Sequence, residues 1–359
     1  MKPTKSTQVI VCIGCGGVGK TTVSASLGYL LAEQGFKTLV LTIDPAKRLA
    51  TTLGIEGRTD IAEVPGVKLK GQLFASVIDH QTVFNDFIRR ASGAGADVQA
   101  IFKNRLYQQM STNLSGSQEF TALEKLYSAY DSGEYDWIVL DTPPSKHAID
   151  FLNAPQKLAA IFNESVAKWF RTMDGSGGWM SQIISSGTKQ VIQILEKLTG
   201  SEFVKELRLF FSYIHSWQDR LESRIVQVHN LLVSPNTRFF LVSSLDEVKM
   251  AEALTLGQEV RKQGYQLTKV IINKAQFEST FDFNLHSSMA DSEATFQELQ
   301  RFTSRFQNYL MYRQELLHKF EAAMSGKIEM ISLKEYLDPI SDTESLKLIA
   351  FDLSQKIKL

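Results

Sequence analysis

The sequence GCGGVGKT occupies residues Gly14–Thr21 and joins two segments of different character. Before it, Gln8–Ile13 (QVIVCI) is a short apolar run rich in β-branched residues, which predicts a buried strand. After it, Lys20–Gln34 carries apolar residues at helical spacing and is followed by Gly35, which predicts a helix and its end. A second strand is predicted at Thr38–Ile43 (TLVLTI), so these segments form a strand–loop–helix–strand unit with parallel strands.

The glycine-rich loop satisfies two binding patterns. Gly14, Gly16 and Gly19 have the spacing of a dinucleotide-binding loop. The same residues fit GxxxxGK[ST], in which N–H groups of the loop and of the helix N-terminus surround a phosphate. Lys20 and Thr21 favour the second pattern, because a triphosphate needs an ammonium group and Mg²⁺ needs a hydroxyl ligand. We therefore expect a triphosphate-binding loop (P-loop) rather than a dinucleotide site or a glycine turn without ligand.

Two aspartates follow predicted strands. Trp137–Asp141 (WIVLD) is an apolar run ending in an acid, and an acid at this end of a strand beside a phosphate loop can hold Mg²⁺ through water. Asp44 comes directly after the Thr38–Ile43 run, where a carboxylate could orient the attacking water and accept its proton. The alternatives are a surface turn capped by Asp141 and an ordinary Asp-Pro turn at Asp44.

Later apolar runs extend the strand pattern along the chain. They lie at Leu73–Ile78, Asp136–Leu140, Arg238–Val242, Lys269–Ile272 and Lys327–Ile331. With the first two strands they predict an α/β fold with a doubly wound, mainly parallel sheet.

Two long segments between these runs lack strand character and predict an inserted helical subdomain at residues 81–131 and 151–235. Residues 1–80, 132–150 and 236–359 then form the P-loop nucleotide-binding domain. Apolar residues recur every three or four positions over residues 158–173 and 203–217 of the insert, which fits core packing or an apolar groove for a hydrophobic helix.

A helix with one apolar stripe is predicted at Glu344–Lys358. Because it follows a predicted strand, we expect it to dock on the sheet rather than to anchor the chain at a membrane surface.

Composition narrows the class of protein. Lys and Arg number 39 and Asp and Glu number 39, so the net charge is zero and gives no indication of nucleic-acid binding. No apolar run reaches the roughly 18 residues of a membrane-spanning helix, and no targeting segment is visible. Two cysteines, Cys12 and Cys15, exclude a disulfide-rich secreted scaffold and favour a cytoplasmic location.

The motifs, in their order and spacing, resemble one family of ATPases. They are the Gly14–Thr22 loop, Asp44-Pro45-Ala46 as switch I, Asp141–Phe151 (DTPPSKHAIDF) as switch II, and Val270–Asn273 (VIIN). This family contains the arsenite-pump ATPase (ArsA) and the guided-entry ATPase that carries tail-anchored membrane proteins. The resemblance covers nearly the whole chain and implies a P-loop fold of the deviant Walker A class, with ATP and Mg²⁺ as cofactors.

The resemblance also implies a role for each motif residue. Lys20 and Asp44 would be the catalytic residues, Lys20 by binding phosphates and Asp44 by activating water. Thr21 would bind Mg²⁺, Thr22 would support the α-phosphate, and Asp141 would sense the Mg²⁺ shell. Asn273 would read adenine, since an asparagine amide can pair with N6 and N7 of that base; the alternative is a turn-forming asparagine. The residues implied to hold the nucleotide are Gly14, Cys15, Gly16, Gly17, Val18, Gly19, Lys20, Thr21, Thr22 and Asn273.

Cys15 departs from the family pattern. Family loops usually read GKGGVGKT, in which the first lysine reaches into the nucleotide of the partner subunit, and this chain has Cys15 at that position. A cation supplied in this way can be worth orders of magnitude in rate. Three alternatives follow: slow intrinsic turnover, a replacement cation such as Lys47, Arg48 or Lys146, or a heterodimer with a lysine-bearing paralogue.

The thiols are also unlike those of the best-known relatives. The resemblance would place arsenite on several thiolates, or zinc on a CxxC pair after the adenine-contacting asparagine, but Gln276–Gln300 contains no cysteine. The spacing Cys12-x-x-Cys15 fits half of a zinc site or a redox pair. Plain packing is favoured, because Cys12 should point into the sheet interior.

These observations together predict a Mg²⁺-dependent ATPase whose switches I and II couple ATP to the helical insert. The expected partners are a second subunit, identical or paralogous, and either a hydrophobic membrane-protein client or a membrane pump. The expected location is cytoplasmic, extending to a peripheral association with the inner face of the membrane. The alternative functions are a catalytically weak nucleotide-binding subunit of a heterodimer and the ATPase subunit of an oxyanion pump.

Overall fold

The computed structural model describes residues 7–43, 48–56, 58, 60–93, 98–105, 107–108, 117–154, 157, 201–277, 292–324, 328–336 and 338–357. Two regions with predicted features lie outside these residues: the Asp44-Pro45-Ala46-Lys47 segment and the apolar stripe over residues 158–173.

The described strands form one eight-stranded sheet. Their bounds are β1 Gln8–Gly14, β2 Lys37–Thr42, β3 Ala62–Glu63, β4 Gln72–Val77, β5 Trp137–Asp141, β6 Thr237–Ser244, β7 Leu267–Phe277 and β8 Glu329–Glu335. The order is β3-β4-β2-β5-β1-β6-β7-β8, and all neighbours are parallel except β3 and β4. The predicted α/β fold with a doubly wound, mainly parallel sheet is therefore confirmed. The sequence did not predict β3, because its two residues are too short to show a strand pattern.

The central strand β1 fixes where the glycine-rich loop begins. Nearly all its residues are buried, as expected for a parallel strand covered on both faces. Cys12 is in register with Asp141 of β5, and Gly14 with Val242 of β6. A Cβ at Gly14 would lie 2.1 Å from the carbonyl oxygen of Val242, so only glycine permits this close approach.

The helices fill the connections between the strands. Their bounds are α1 Lys20–Glu33, α2 Arg48–Leu53, α3 His80–Ser92, α4 Val98–Phe102, α5 Ser117–Asp131, α6 Ser145–Leu152, α7 Ser201–Val233, α8 Glu247–Lys262, α9 Glu293–Ala323 and α10 Thr343–Lys356.

Helix α1 is buried on almost all sides because it lies among the sheet and other helices. Its residues 23–32 are buried, and α10 packs against it. The apolar stripe predicted for the C-terminal helix provides this contact, with Leu346, Ile349 and Leu353 buried in the same core cluster as Leu27 and Leu31. The stripe therefore packs inside the fold, against α1, and α10 also contacts β8 of the sheet on which it was predicted to dock.

The chain divides into two compact units. The first takes its described residues from Met1–Val77, Gly133–Ile149 and Pro235–Leu359 and contains the sheet. The second takes them from Ile78–Ser132 and Asp150–Ser234 and is helical. The chain passes from the first unit to the second inside α6.

A buried carboxylate joins three helices of the second unit. The side chain of Glu124 on α5 is 2% exposed and accepts hydrogen bonds of 2.9–3.1 Å from the Nε and Nη2 atoms of Arg224 on α7. Arg90 on α3 donates a further bond of 3.1 Å to the same carboxylate. Burial raises the pKa of Glu124 against the opposing effect of the two arginines. This charge cluster ties α3, α5 and α7 together.

Two described positions of the second predicted apolar stripe are interior, and a third, Phe203, is half-buried. Phe210 and Trp217 on α7 are both buried, which fits core packing at these two positions. No helix within the described ranges combines the length and the apolar composition needed to cross a membrane.

Candidate active site

The glycine-rich loop turns from the end of β1 into the first turn of α1. Gly19 is the N-cap residue, with a φ of 90°, a conformation that favours glycine. A Cβ at this position would also lie 2.3 Å from the Nδ2 atom of Asn273. Glycine supplies no capping side chain, so the first N–H groups of α1 present a helix N-terminus suited to an anion.

Lys20 places its ammonium group against the loop. The side chain is buried, and its Nζ atom donates a hydrogen bond of 2.8 Å to the carbonyl oxygen of Cys15. The loop therefore closes around a positive charge that is already desolvated. Such a charge attracts phosphate oxygens more strongly than an exposed one, because little water screens it.

Cys15 points away from solvent. The residue is fully buried, and its Sγ atom lies 3.5 Å from the carbonyl oxygen of Lys249 in the first turn of α8. The thiol therefore packs against a neighbouring helix of the same unit. This contact fits the packing role that the sequence favoured.

The other cysteine has the chemistry of an interior residue. Cys12 is fully buried on β1, and burial raises its pKa to about 12, so it stays a neutral thiol at physiological pH. A neutral thiol is a poor metal ligand and a poor nucleophile. Across the residues that the structure describes, no group of three or more His, Cys, Asp or Glu side chains could hold a metal ion.

Asp141 brings together the ends of two strands and the start of α1. The residue ends β5 and is buried. Its Oδ2 atom accepts a hydrogen bond of 2.7 Å from Thr21 Oγ1 and another of 2.9 Å from Thr42 Oγ1. The structure thus brings Thr21 and Asp141 together, as the motifs predict. Thr42 is a partner of Asp141 that the sequence analysis missed.

The segment after Asp141 is attached to β1. Thr142 donates a hydrogen bond of 2.7 Å from Oγ1 to the carbonyl oxygen of Cys12, and its backbone N–H donates to the same oxygen at 3.3 Å. The start of the predicted switch II is therefore fixed to the strand that leads into the glycine-rich loop.

Asn273 lies against the phosphate loop. It belongs to β7 and is buried, and its Nδ2 atom donates a hydrogen bond of 3.0 Å to the carbonyl oxygen of Val18. The side chain predicted to contact the base is therefore also bonded to the loop predicted to contact the phosphates.

A cavity of about 410 Å³ opens beside the loop. Its lining includes Gly17, Gly19 and Thr22 from the loop and α1, and Asn273 and Lys274 from β7. The other lining residues lie in and after β8 and on α10, and they are Lys334, Tyr336, Asp338, Pro339, Ile340 and Ile349. No motif marks the residues after β8. These residues follow a parallel strand in the chain, and that position could have indicated a binding site, because ligands of such sheets bind at the carboxyl ends of the strands.

Some predicted site residues are not among those the structure describes. Asp44 and Lys47 lie outside the described residues, as do the side chains of Arg48 and Lys146. In the sequence, Asp44 follows Thr42 by two positions, and Thr42 is the last residue of β2.

The donor set suits a magnesium-bound nucleotide. Thr21 contributes a hydroxyl and Asp141 a carboxylate, and Mg²⁺ prefers such oxygen ligands, directly or through water. The buried ammonium of Lys20 and the N-terminus of α1 suit phosphates, and the adjoining cavity offers room for a nucleoside.

Comparison with known proteins agrees with this geometry. A family model described as anion-transporting ATPase matches residues 7–338. "ATPase ASNA1 homolog 1" of Paramecium tetraurelia is 26% identical over 267 residues, which cover 74% of each chain. A protein provisionally named "arsenical pump-driving ATPase 1" of Aquifex aeolicus is 25% identical over 276 residues, 74% of this chain and 63% of that one. "ATPase GET3B" of Arabidopsis thaliana is 26% identical over 281 residues, 73% of this chain and 62% of that one.

The family match spans nearly the whole chain and includes the loop, Asp141 and Asn273. The chain therefore belongs to the anion-transporting ATPase family, and it is an ATPase.

Proposed function

We propose that the chain hydrolyses ATP in a Mg²⁺-dependent reaction and uses the nucleotide state to control a helical client- or partner-binding unit. The observation that carries the proposal is the contact of 2.7 Å between Thr21 Oγ1 and Asp141 Oδ2. It lies where a P-loop ATPase needs a hydroxyl and a carboxylate, next to the buried ammonium of Lys20.

The charge and position of each site residue would determine its role in the reaction. Lys20 would exchange its bond to the Cys15 carbonyl for bonds to phosphate oxygens, together with the N–H groups of the loop. Thr21 would ligate Mg²⁺ directly, and Asp141 would hold the magnesium shell through water. When bound, Mg²⁺ supplies charge neutralisation at the phosphate oxygens. Asp44 would orient the attacking water and accept its proton.

ATP is the proposed nucleotide because of Asn273. Its amide can pair with adenine at N6 and N7, and the cavity lined by Asn273 and Tyr336 lies directly beside the loop. Base, ribose and phosphates would then follow the cavity from β8 toward Gly17 and Gly19.

Coupling to the helical unit would run through the segment after Asp141. Thr142 fixes this segment to β1, and three residues later α6 begins and carries the chain into the second unit. A switch that moves with the γ-phosphate would therefore pull on the chain entering the helical unit. The proposed partners are a second subunit, identical or paralogous, and a hydrophobic membrane-protein client, in the cytoplasm.

The test is phosphate release by the purified full chain. We expect release from ATP that requires Mg²⁺, a loss of nucleotide binding in Lys20→Ala, and retained binding in Asp44→Asn with a rate lower by about 100-fold or more, the usual size of a general-base effect. Lys262→Ala, which removes a lysine that is 80% exposed on α8, is the control and should behave as wild type. Phosphate release by wild type no faster than by Lys20→Ala would contradict the proposal.

One observation favours slow catalysis as the second candidate. Cys15 is fully buried against α8, so the position where the family keeps a lysine offers neither a cation nor an accessible group. A nucleotide-binding subunit that needs a lysine-bearing paralogue for fast turnover would show this arrangement.

The oxyanion-pump alternative has weaker support. The Aquifex relative is named for an arsenical pump, and thiolates are the ligands that the resemblance implies for arsenite. In this chain Cys12 is a buried neutral thiol and Cys15 is also buried, so neither offers an accessible thiolate.

A further inference from the structure

Two threonine hydroxyls converge on one oxygen atom of Asp141. Thr21 donates from the first turn of α1 at 2.7 Å, and Thr42 donates from the end of β2 at 2.9 Å, both to Oδ2. Thr42 and Asp141 are register partners in adjacent parallel strands, so the sheet itself fixes their separation. Thr42 is fully buried, so its hydroxyl has no bulk water to bond with.

Thr42 differs in this respect from another threonine of the same strand. Thr38 lies four positions earlier on β2, is in register with Trp137 of β5 and is also fully buried. Within the described residues its hydroxyl has no hydrogen-bond partner. The strand therefore tolerates a buried threonine without a bond, and the bond from Thr42 to Asp141 is specific to the position beside the phosphate loop.

The hydrogen bond from Thr42 to Asp141 affects the orientation of the Thr21 hydroxyl. A hydroxyl has one hydrogen to donate and two lone pairs to offer. Because the hydrogen of Thr21 points at Asp141 Oδ2, its lone pairs point elsewhere and remain available to a metal ion. Any contact that fixes Oδ2 also fixes the direction of those lone pairs, and Thr42 holds Oδ2 from the adjacent strand β2.

We infer that Thr42 is a positioning residue for the magnesium site, acting through Asp141 on Thr21; this rests on the proposed function, because it assumes that Thr21 ligates Mg²⁺. Outer partners of a metal ligand typically change metal affinity or activity by about 10–100-fold. Thr42 contacts neither nucleotide nor metal in this scheme, so its removal should weaken the effect of Mg²⁺ and leave metal-free binding intact.

The experiment measures equilibrium binding of the non-hydrolysable ATP analogue AMP-PNP to the full chain, once with Mg²⁺ and once with EDTA. The ratio of the two dissociation constants is the magnesium enhancement. We expect Thr42→Val to lower this enhancement by about ten-fold, the low end of the outer-partner range, while affinity in EDTA stays within about two-fold. Thr42→Ser keeps the hydroxyl and should restore the enhancement, and Thr38→Val, which removes a buried hydroxyl from the same strand, should match wild type.

Three results would overturn the inference. The enhancement could be equal in Thr42→Val and Thr38→Val, or Thr42→Val could lose affinity equally in EDTA and in Mg²⁺, as general damage to the loop would cause. Wild type could also show no enhancement at all. If wild type shows the enhancement but releases no phosphate from ATP, the proposed hydrolysis fails and the role of Thr42 stands.

Discussion

Asn273 Nδ2 donates a hydrogen bond of 3.0 Å to the carbonyl oxygen of Val18, which joins the carboxyl-terminal half of β7 to the middle of the phosphate loop. The same asparagine lines the cavity proposed for the base. One side chain therefore contacts both the loop and the cavity, so a change there should affect phosphate binding as well as base selection.

Asn273→Ala should weaken binding of tripolyphosphate as well as ATP. Removing the amide leaves the Val18 carbonyl without this donor, and a neutral hydrogen bond is worth about 1 kcal/mol, or about five-fold in affinity. ATP should lose more than tripolyphosphate, because it also loses the contact with the base. Calorimetric titration of both ligands measures the difference.

The control for this substitution is Asn236→Ala. Asn236 precedes β6 and bonds to Gln8 at the start of β1, at the opposite edge of the sheet from the loop. It should bind both ligands as wild type does. Unchanged tripolyphosphate affinity in Asn273→Ala would show that the residue serves the base alone.

Cys15→Lys should raise the rate of ATP hydrolysis in single-turnover experiments. The lysine is too long for the buried position beside Lys249, so its ammonium must extend out of the loop. A cation delivered to a partner's nucleotide can raise the rate by several orders of magnitude, and we expect at least about ten-fold. The gain should increase with protein concentration, because the cation acts in a second subunit.

Cys15→Ser is the matched control for that variant, since it removes the thiol without adding charge. Its rate should stay close to that of wild type. A Cys15→Lys rate equal to that of Cys15→Ser at every protein concentration would favour the heterodimer, in which the cation comes from a paralogue.

The part of the site that sequence analysis located depends on strand ends. A glycine-rich loop after one strand and an acid at the end of another must lie close together when the strands are parallel neighbours, because their carboxyl ends share one edge of the sheet. Thr21 and Asp141 are 120 positions apart in the chain, yet their side chains are in contact.

The part that was missed has no local pattern. Thr38 and Thr42 are the same residue type on the same face of one strand, and only the register with β5 places Thr42 beside Asp141 and Thr38 beside Trp137. The cavity residues Lys334, Tyr336 and Asp338 likewise follow β8 without a motif. Their place depends on β8 being the outermost strand of the sheet, next to β7, and sequence periodicity does not determine strand order.

Cys12 should make the protein less stable as the pH rises above 9. Its pKa rises from 9.0 in the unfolded chain to about 12 in the fold because of burial. Above pH 9 the unfolded chain releases this proton and the folded chain keeps it, so folding must recover a proton and the free energy of unfolding falls. Between pH 9 and pH 10 the loss from this one group is about 1 kcal/mol.

Urea unfolding of wild type and Cys12→Ala, each at pH 9 and at pH 10, measures the contribution of Cys12 to this loss of stability. The variant should lose about 1 kcal/mol less than wild type over the interval, whatever its absolute stability. Parallel losses in the two proteins would mean that the folded thiol ionises as readily as the unfolded one.

Arg224→Met should destabilise the helical unit more than any other single change in its charge cluster. Glu124 is 2% exposed, and Arg224 supplies most of its hydrogen bonds. Removing one partner of a buried ion pair costs about 3–5 kcal/mol, and the single bond from Arg90 compensates only part of the carboxylate charge that remains. Arg90→Met should cost much less, since that side chain is 49% exposed and makes a single bond to Glu124. Glu124→Leu should also lower the stability less than Arg224→Met, because Arg224 is 19% exposed and still lies over the Tyr127 ring.

The double variant Glu124→Leu, Arg224→Met tests the cause of the loss. If the loss comes from an uncompensated carboxylate, urea unfolding will show the double variant to be more stable than Arg224→Met alone. If the double variant is less stable than Arg224→Met, the loss comes from packing around the arginine and the electrostatic account is wrong.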